Sequence, residues 1–345
     1  MRLGILLLSL SLLALPLAEA SKARMSVIGP AVSLPDDFQE LFQNPVKAFS
    51  VDDQLSLEFG PQGEGGWLMS LSKASKLSVY VGHRTELFDD LVAEAANGLL
   101  PEQNPFEITY ASKNEVSAWA LSLWLSKARN KTTSASVEAQ GLRAGLRFNE
   151  FEIYAHAGFR SPSKIDGLLT AQLDSQYRLG GEYGVEDMTY YVDAQSTRGR
   201  IAPDGGNDAR RGWDEITLGF EHLEEDAEAY AFWGARLVNT RIARDPANAV
   251  TLNLPFYFGV ESKSFEGVQW RAYLEQSIIL NQRKDDPGTG FPATADNEGL
   301  NDTKAALGAS YQGGPIRIDG ALTAATTGTL TTDTLLTELS LNYLF

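Results

Sequence analysis

The sequence predicts an all-β protein, a transmembrane antiparallel β-barrel of about 16 strands (14 being the other possible count) closed around a short N-terminal plug segment. Three observations carry this reading. Apolar side chains recur at every second position in stretch after stretch, with little sign of a helical period. The links between these stretches alternate between tight turns and long loops, which puts turns on one rim of a barrel and loops on the other. An apolar leader opens the chain, and no later run is long enough for a transmembrane helix.

In chain order, residues 1–20 read as a secretory signal peptide: a positive Arg2, an apolar run from Leu3 to Leu17, and Ala18 and Ala20 framing Glu19. Export together with a barrel implies the outer membrane of a Gram-negative bacterium. Residues 21–50 neither alternate nor suffice for several strands. Within them Asp36, Asp37 and Glu40 beside Phe38, Leu41 and Phe42 predict a short helix, capped by Asp36, ended by Asn44-Pro45, and resting an apolar face on the barrel lumen. A flexible periplasmic tail is the alternative.

Residues 51–345 supply the barrel. Alternating stretches lie near 51–60, 65–73, 76–83, 105–112, 116–127, 135–148, 150–160, 173–184, 187–197, 212–222, 226–238, 250–261, 266–280, 303–312, 315–323 and 334–345. Many reach about ten residues, which spans a hydrocarbon layer when tilted. A soluble β-sandwich also alternates, but its strands are shorter and its loops need not alternate in length by rim. A phase change between Val137/Ala139 and Leu142/Ala144/Leu146 predicts a β-bulge at Gln140–Gly141. Trp67, Trp119, Trp213, Trp233 and Trp270 suit the interfacial girdles.

The polar positions of the strands predict a charged, wet interior. Arg143, Arg147, Arg160 and Arg178 fall on three consecutive strands, followed by Asp193, Glu221 and Glu228, then Arg236, Arg271 and Glu275. Such rows either form a basic and an acidic wall that sieve solutes or pair across strands and merely brace the sheet. The loop 84–104 has Leu87, Phe88, Leu91, Val92 and Ala95 at helical spacing, so an amphipathic helix is expected to constrict the mouth or cap it. The acidic loop 281–302 reads as solvated.

A formal net charge of −16 argues against nucleic acid as a partner. Cysteine is missing, the three His stand far apart at 83, 156 and 222, and neither HExxH nor GxSxG occurs. Neither a metal, a cofactor nor an enzymatic activity is therefore expected. The expected partners are the lipid bilayer and lipopolysaccharide, the barrel-assembly machinery, and small solutes. At the C-terminus, Tyr343 and Phe345 share a face with Leu341 and Leu339. That pattern resembles the signal by which the assembly machinery recognises outer-membrane proteins, adding a strand to an open sheet edge.

Ala23-Arg24, Gly29-Pro30-Ala31, Asp36-Asp37 and Asn44-Pro45-Val46 resemble the mature start of FadL-like outer-membrane transporters. The resemblance implies a segment seated inside the barrel as a hatch, and a hydrophobic ligand. The residues themselves favour a porin or channel for passive diffusion of small solutes, its access tuned by the plug and the 84–104 loop. The alternatives are FadL-like transport of hydrophobic ligands and a non-conducting structural or adhesive surface barrel.

Overall fold

A computed structural model describes residues 22–28, 31–34, 38–59, 63–95, 98–165, 168–203, 208–245, 247–285, 303–325 and 338–345. The leader, Asp36, Asp37 and the acidic stretch 286–302 lie outside the described residues.

Seventeen strand segments follow one another: β1 (Gln54–Phe59), β2 (Glu64–Ser72), β3 (Ser75–Val81), β4 (Phe106–Lys113), β5 (Ser117–Arg129), β6 (Ala135–Phe148), β7 (Phe151–Gly158), β8 (Ser161–Ile165), β9 (Leu169–Val185), β10 (Met188–Pro203), β11 (Ala209–Glu225), β12 (Ala229–Arg244), β13 (Ala247–Ser262), β14 (Val268–Asp285), β15 (Thr303–Gly313), β16 (Ile316–Ala325) and β17 (Glu338–Leu344). Successive strands pair antiparallel, and β17 returns to β1 with Gln54 opposite Leu344 and Phe59 opposite Leu339. Both β7 and β8 lie between β6 and β9, so they share one place and the closed ring has 16. Closure pairs the backbone groups that lipid cannot satisfy.

Alternation sorts the side chains. On β1, Gln54, Ser56 and Glu58 are buried while Leu55, Leu57 and Phe59 are exposed. The same holds around the ring, where Leu121, Leu123, Ile216, Leu218, Phe256 and Phe258 all project outward. A continuous apolar belt of this size is a membrane face, not a soluble surface. Trp67, Trp119, Trp233 and Trp270 also project outward, and Phe345 packs edge-on against Trp67 at 6.2 Å, with Tyr343 5.7 Å away. Tight turns join strands on one rim; Asn149 and Glu186 open two of them with φ of 52° and 53°, the left-handed geometry of two-residue hairpins.

Four expectations need correction. First, β6 pairs with β5 without a slip through Leu125↔Gln140 and Trp124↔Gly141, so no bulge lies there. Val137 faces inward under a helix and Ala139 is buried on the same face, while Leu142 and Leu146 face lipid. Second, the N-terminal segment begins with an unforeseen helix, α1 (Lys22–Ile28), and the helix expected near Phe38 is a 3-10 turn, Phe38–Phe42, followed by a second, Pro45–Phe49. Third, Trp213 sits on the inward side of β11, not in a girdle. Fourth, β9 to β14 are 16 to 18 residues long and overrun their expected ends. Their added residues include outward-facing Arg198, Arg210 and Arg241, which interrupt the apolar period.

Candidate functional site

The N-terminal segment is tied to the inner wall on opposite sides. On α1, Arg24 is fully buried and donates from Nε (2.9 Å) and Nη2 (2.7 Å) to the Glu261 carboxylate on β13. Glu261 also accepts from Arg271 Nε at 2.6 Å, Arg271 reaches Asp319 at 3.2 Å, and Arg317 joins Asp319 at 3.1 Å. Buried charge is tolerated only when paired in this way, and removing one partner of such a pair costs about 3–5 kcal/mol. Lys22 reaches Glu64 at 2.5 Å, and its backbone N–H donates to Glu58 at 3.2 Å. Further on, Glu221 accepts the N–H groups of Val32 (3.3 Å) and Ser33 (2.8 Å), the Ser33 hydroxyl, and the Tyr257 hydroxyl at 3.0 Å.

The two 3-10 turns lie on the other side. Phe38, Phe42 and Val46 pack on Leu68, Tyr80, Ala111, Ala118 and Ala120. Gln39 and Gln43 donate to the hydroxyls of Tyr80 (3.0 Å) and Tyr154 (2.7 Å), and the Gln43 carbonyl meets His156 Nε2 at 2.5 Å. Asn44 does two jobs: Nδ2 donates to Glu152 at 2.6 Å, and Oδ1 accepts the Val46 N–H at 3.3 Å, capping a turn whose first residue is Pro45. Lys47 pairs with Glu182 at 3.1 Å, and Arg147 donates to Ser50 at 3.0 Å.

The helix that the spacing predicted is α2 (Glu86–Ala95), and from the loop rim it packs on the inner wall and does not merely cap the outer end. Phe88, Leu91 and Val92 bury themselves against Val137, Ala171, Leu173 and Ile201, and Glu94 pairs with Arg211 at 2.5 Å. Below the helix, Glu102 accepts the Thr85 N–H at 2.7 Å, and its own N–H donates to Asp89 at 3.1 Å. Burial pushes both carboxyls above their ordinary range. His83 stacks on Phe42 at 3.6 Å, and desolvation, with Arg143 and Lys22 nearby, holds its imidazole well below 6.5.

Between α2 and the N-terminal segment, three cavities follow the β9–β14 wall. The first, about 340 Å³, lies under Leu87 and Leu91. It shares Trp213, Ile242 and Arg244 with a second of about 380 Å³. The second shares Glu215, Thr217 and Arg236 with a third of about 170 Å³, which ends on Gln43, Asn44 and Lys47.

The inward charges are paired across strands: Arg143 with Glu107, Arg147 with Glu152 (2.5 Å), Arg178 with Asp193 (2.7 Å), Arg236 with Glu275 (2.8 Å) and Arg271 with Glu261. The bracing arrangement is therefore the one present, in place of separate basic and acidic walls. Two candidates leave the interior. Arg160 sits between β7 and β8, where an extra residue throws it outward, exposed and donating to Gln172 at 2.8 Å. Glu228 stands in the turn before β12, its backbone N–H held by Asp226, because the strand starts at Ala229 and not at the expected 226. Arg24 was missed as an anchor; the available signal was a lone Arg amid Ala23, Val27 and Ile28 in an acid-rich chain.

No known protein family and no curated protein matches the chain. Among solved structures, a loop-deletion mutant of OmpT, an outer membrane protein of Vibrio cholerae, is similar at 11% identity over 84% of this chain and 96% of its own, with a TM-score of 0.42. The toluene transporter TodX of Pseudomonas putida is similar at 11% over 94% and 96%, TM-score 0.41, and the monoaromatic hydrocarbon channel CymD at 11% over 92% and 95%, TM-score 0.42. These likenesses concern the barrel fold alone.

Proposed function

We propose that the protein is a Gram-negative outer-membrane channel for small polar solutes, with residues 21–50 as its plug and α2 as its constriction. The observation that carries this is the file of three neighbouring cavities with shared lining residues, which runs from α2 along one wall to the N-terminal segment. Its deeper walls present Arg178, Asp193, Glu215, Arg236 and Glu275, charges that favour water and hydrogen-bonding solutes over apolar ones. Side chains alone do not fill a barrel of this strand number, so the occupant of the lumen decides what passes. In the arrangement described, Gln43, Asn44 and Lys47 close the path, and conduction requires the segment to yield. On this reading Tyr343 and Phe345, outward at the turn rim, are where the assembly machinery engages the last strand.

Planar-bilayer conductance of the full chain and of a form lacking residues 21–50 tests the proposal. Steps that appear or grow several-fold on deletion are expected. Equal large steps in both forms would make the segment no plug, and none in either would point to a structural or adhesive barrel. A second reading, transport of hydrophobic ligands, draws support from the outermost cavity, where Leu87, Leu91, Leu173 and Ile242 stand beside Arg211 and Arg244. Saturable binding of a medium-chain fatty acid, lost in Leu91→Asp, would favour that reading.

A further inference from the structure

The outward surface of β10–β12 changes character at one level. Toward the turns it presents Val192, Ile216, Leu218 and Leu237 to lipid. Toward the loop rim the outward positions become Arg198, Arg210, Asp214 and Arg241. Pairing brings two small residues together there, with Gly212 opposite both Arg198 and Ala243. They floor an exterior depression of about 420 Å³, bordered by Arg198, Arg210 and Arg241 and also by Asp214 and Asp245. A Cβ on Gly212 would lie 3.5 Å from the Ala243 Cβ and from Cδ and Nη1 of Arg198, so the arginine stem forms one side of the hollow.

The three guanidiniums are not equivalent. Arg198 is held by Asp214 through Nη1 at 2.7 Å and Nη2 at 2.9 Å. Arg210 and Arg241 are exposed, and among the described residues neither has a carboxylate oxygen within 4.0 Å. Guanidinium forks match phosphate oxygens two at a time and stay charged at any physiological pH. Facing away from the lumen, these side chains cannot serve the solute path. They stand at the edge of the apolar belt, the depth at which lipid headgroups begin.

We propose that this hollow binds a phosphate of lipopolysaccharide, with Arg210 and Arg241 donating to the phosphate oxygens and the Asp214-held Arg198 fixing the position. The assignment rests on the outer-membrane reading, under which the loop rim faces the cell exterior and the adjoining leaflet carries a phosphorylated glycolipid. Gly212 and Ala243 leave room for a group of phosphate size between the guanidiniums, and larger residues at either position would fill it.

The test is native mass spectrometry of the full-length protein in detergent, titrated with lipid A, with dephosphorylated lipid A, with phosphatidylglycerol and with inorganic phosphate. Lipid A is expected to be retained, and retained roughly tenfold or more weakly by the Arg210→Ala/Arg241→Ala double variant, two charge-assisted contacts being lost. Dephosphorylated lipid A is expected to match that double variant, and Arg283→Ala, on the same face of β14, to match the wild type. Equal retention by wild type and double variant overturns the proposal. So does equal retention of the two forms of lipid A, a preference for phosphatidylglycerol, or occupancy by inorganic phosphate that lipid A does not displace. Heat-modifiable mobility on gels reports that each variant is folded, and a Gly212→Leu variant, which leaves every charge in place, is expected to lose lipid A as well. Conductance measured on the same preparations separates the failures: a protein that conducts but ignores lipid A refutes this site and not the channel.

Discussion

One missing side chain decides how closely the N-terminal segment lies on the wall. A Cβ at Gly145 would run into Asn44 Oδ1 and stand 2.9 Å from the Val46 backbone nitrogen, and neither can retreat, because the Asn44 amide is held by its Nδ2 donating to Glu152 and the Val46 N–H belongs to the turn that Asn44 Oδ1 caps. Gly145→Ala is therefore expected to lift the turn at Pro45–Phe49 while leaving the strands paired. The readout is a raised single-channel conductance with unchanged β-sheet circular dichroism, and unchanged conductance would count against it. At this scale the sequence was legible wherever alternation ran unbroken: Arg143, Arg147, Arg178, Asp193, Glu221, Arg236, Arg271 and Glu275 all point inward. It was illegible at Arg160 and Glu228 because parity counts fail across an inserted residue and in a turn just before a strand begins. Partner choice was also hidden, since alternation assigns a face and not a neighbour, so the link between Arg24 and Glu261 needed the folded ring.

Among the elements, the 82–105 loop holds groups that respond to acid in opposite directions. Glu102 and Asp89 have raised pKa values when seated, so the seated loop binds protons that the released loop does not. Falling pH thus strengthens seating as it approaches the ordinary carboxylate value of 4.5 for Glu102. His83 has the reverse sign: its seated pKa lies well below 6.5, a released imidazole takes a proton as pH falls through 6.5, and acid favours release. In His83→Gln the conductance is expected to fall as pH is lowered from 7 toward 4.5, whereas in Glu102→Gln it is expected to rise below about 6.5. Opposite slopes in either variant would refute the assignment. The helical spacing of Leu87, Phe88, Leu91 and Val92 made α2 legible, because an apolar stripe needs only local sequence. The helix at Lys22–Ile28 was not, because only seven residues long, it owes its form to the wall it packs against.

For the whole molecule, the two faces of one strand obey different solvents. Leu218, midway along β11, projects into lipid, whereas its neighbour Thr217 lines the cavities. Leu218→Arg is expected to lower the folding free energy into liposomes by about 2–4 kcal/mol, the cost of a cation near the bilayer midplane. Thr217→Arg should leave that quantity nearly unchanged and alter ion selectivity instead. Equal losses for both would mean that the outward belt does not face hydrocarbon. Ring closure and strand number were legible because each span repeats the same two-residue rule and the rims differ in loop length. The reach of β9–β14 beyond the belt was not, since above the hydrocarbon the outward positions no longer need to be apolar.

The position of α1 has a mechanical corollary. It lies against β14 to β17, while Lys22 grips Glu58 on β1 and Glu64 on β2, so the helix straddles the seam where the last strand meets the first. The hoop is thus buckled from within at its final joint, the one place where the ring is closed by strands from the two ends of the chain.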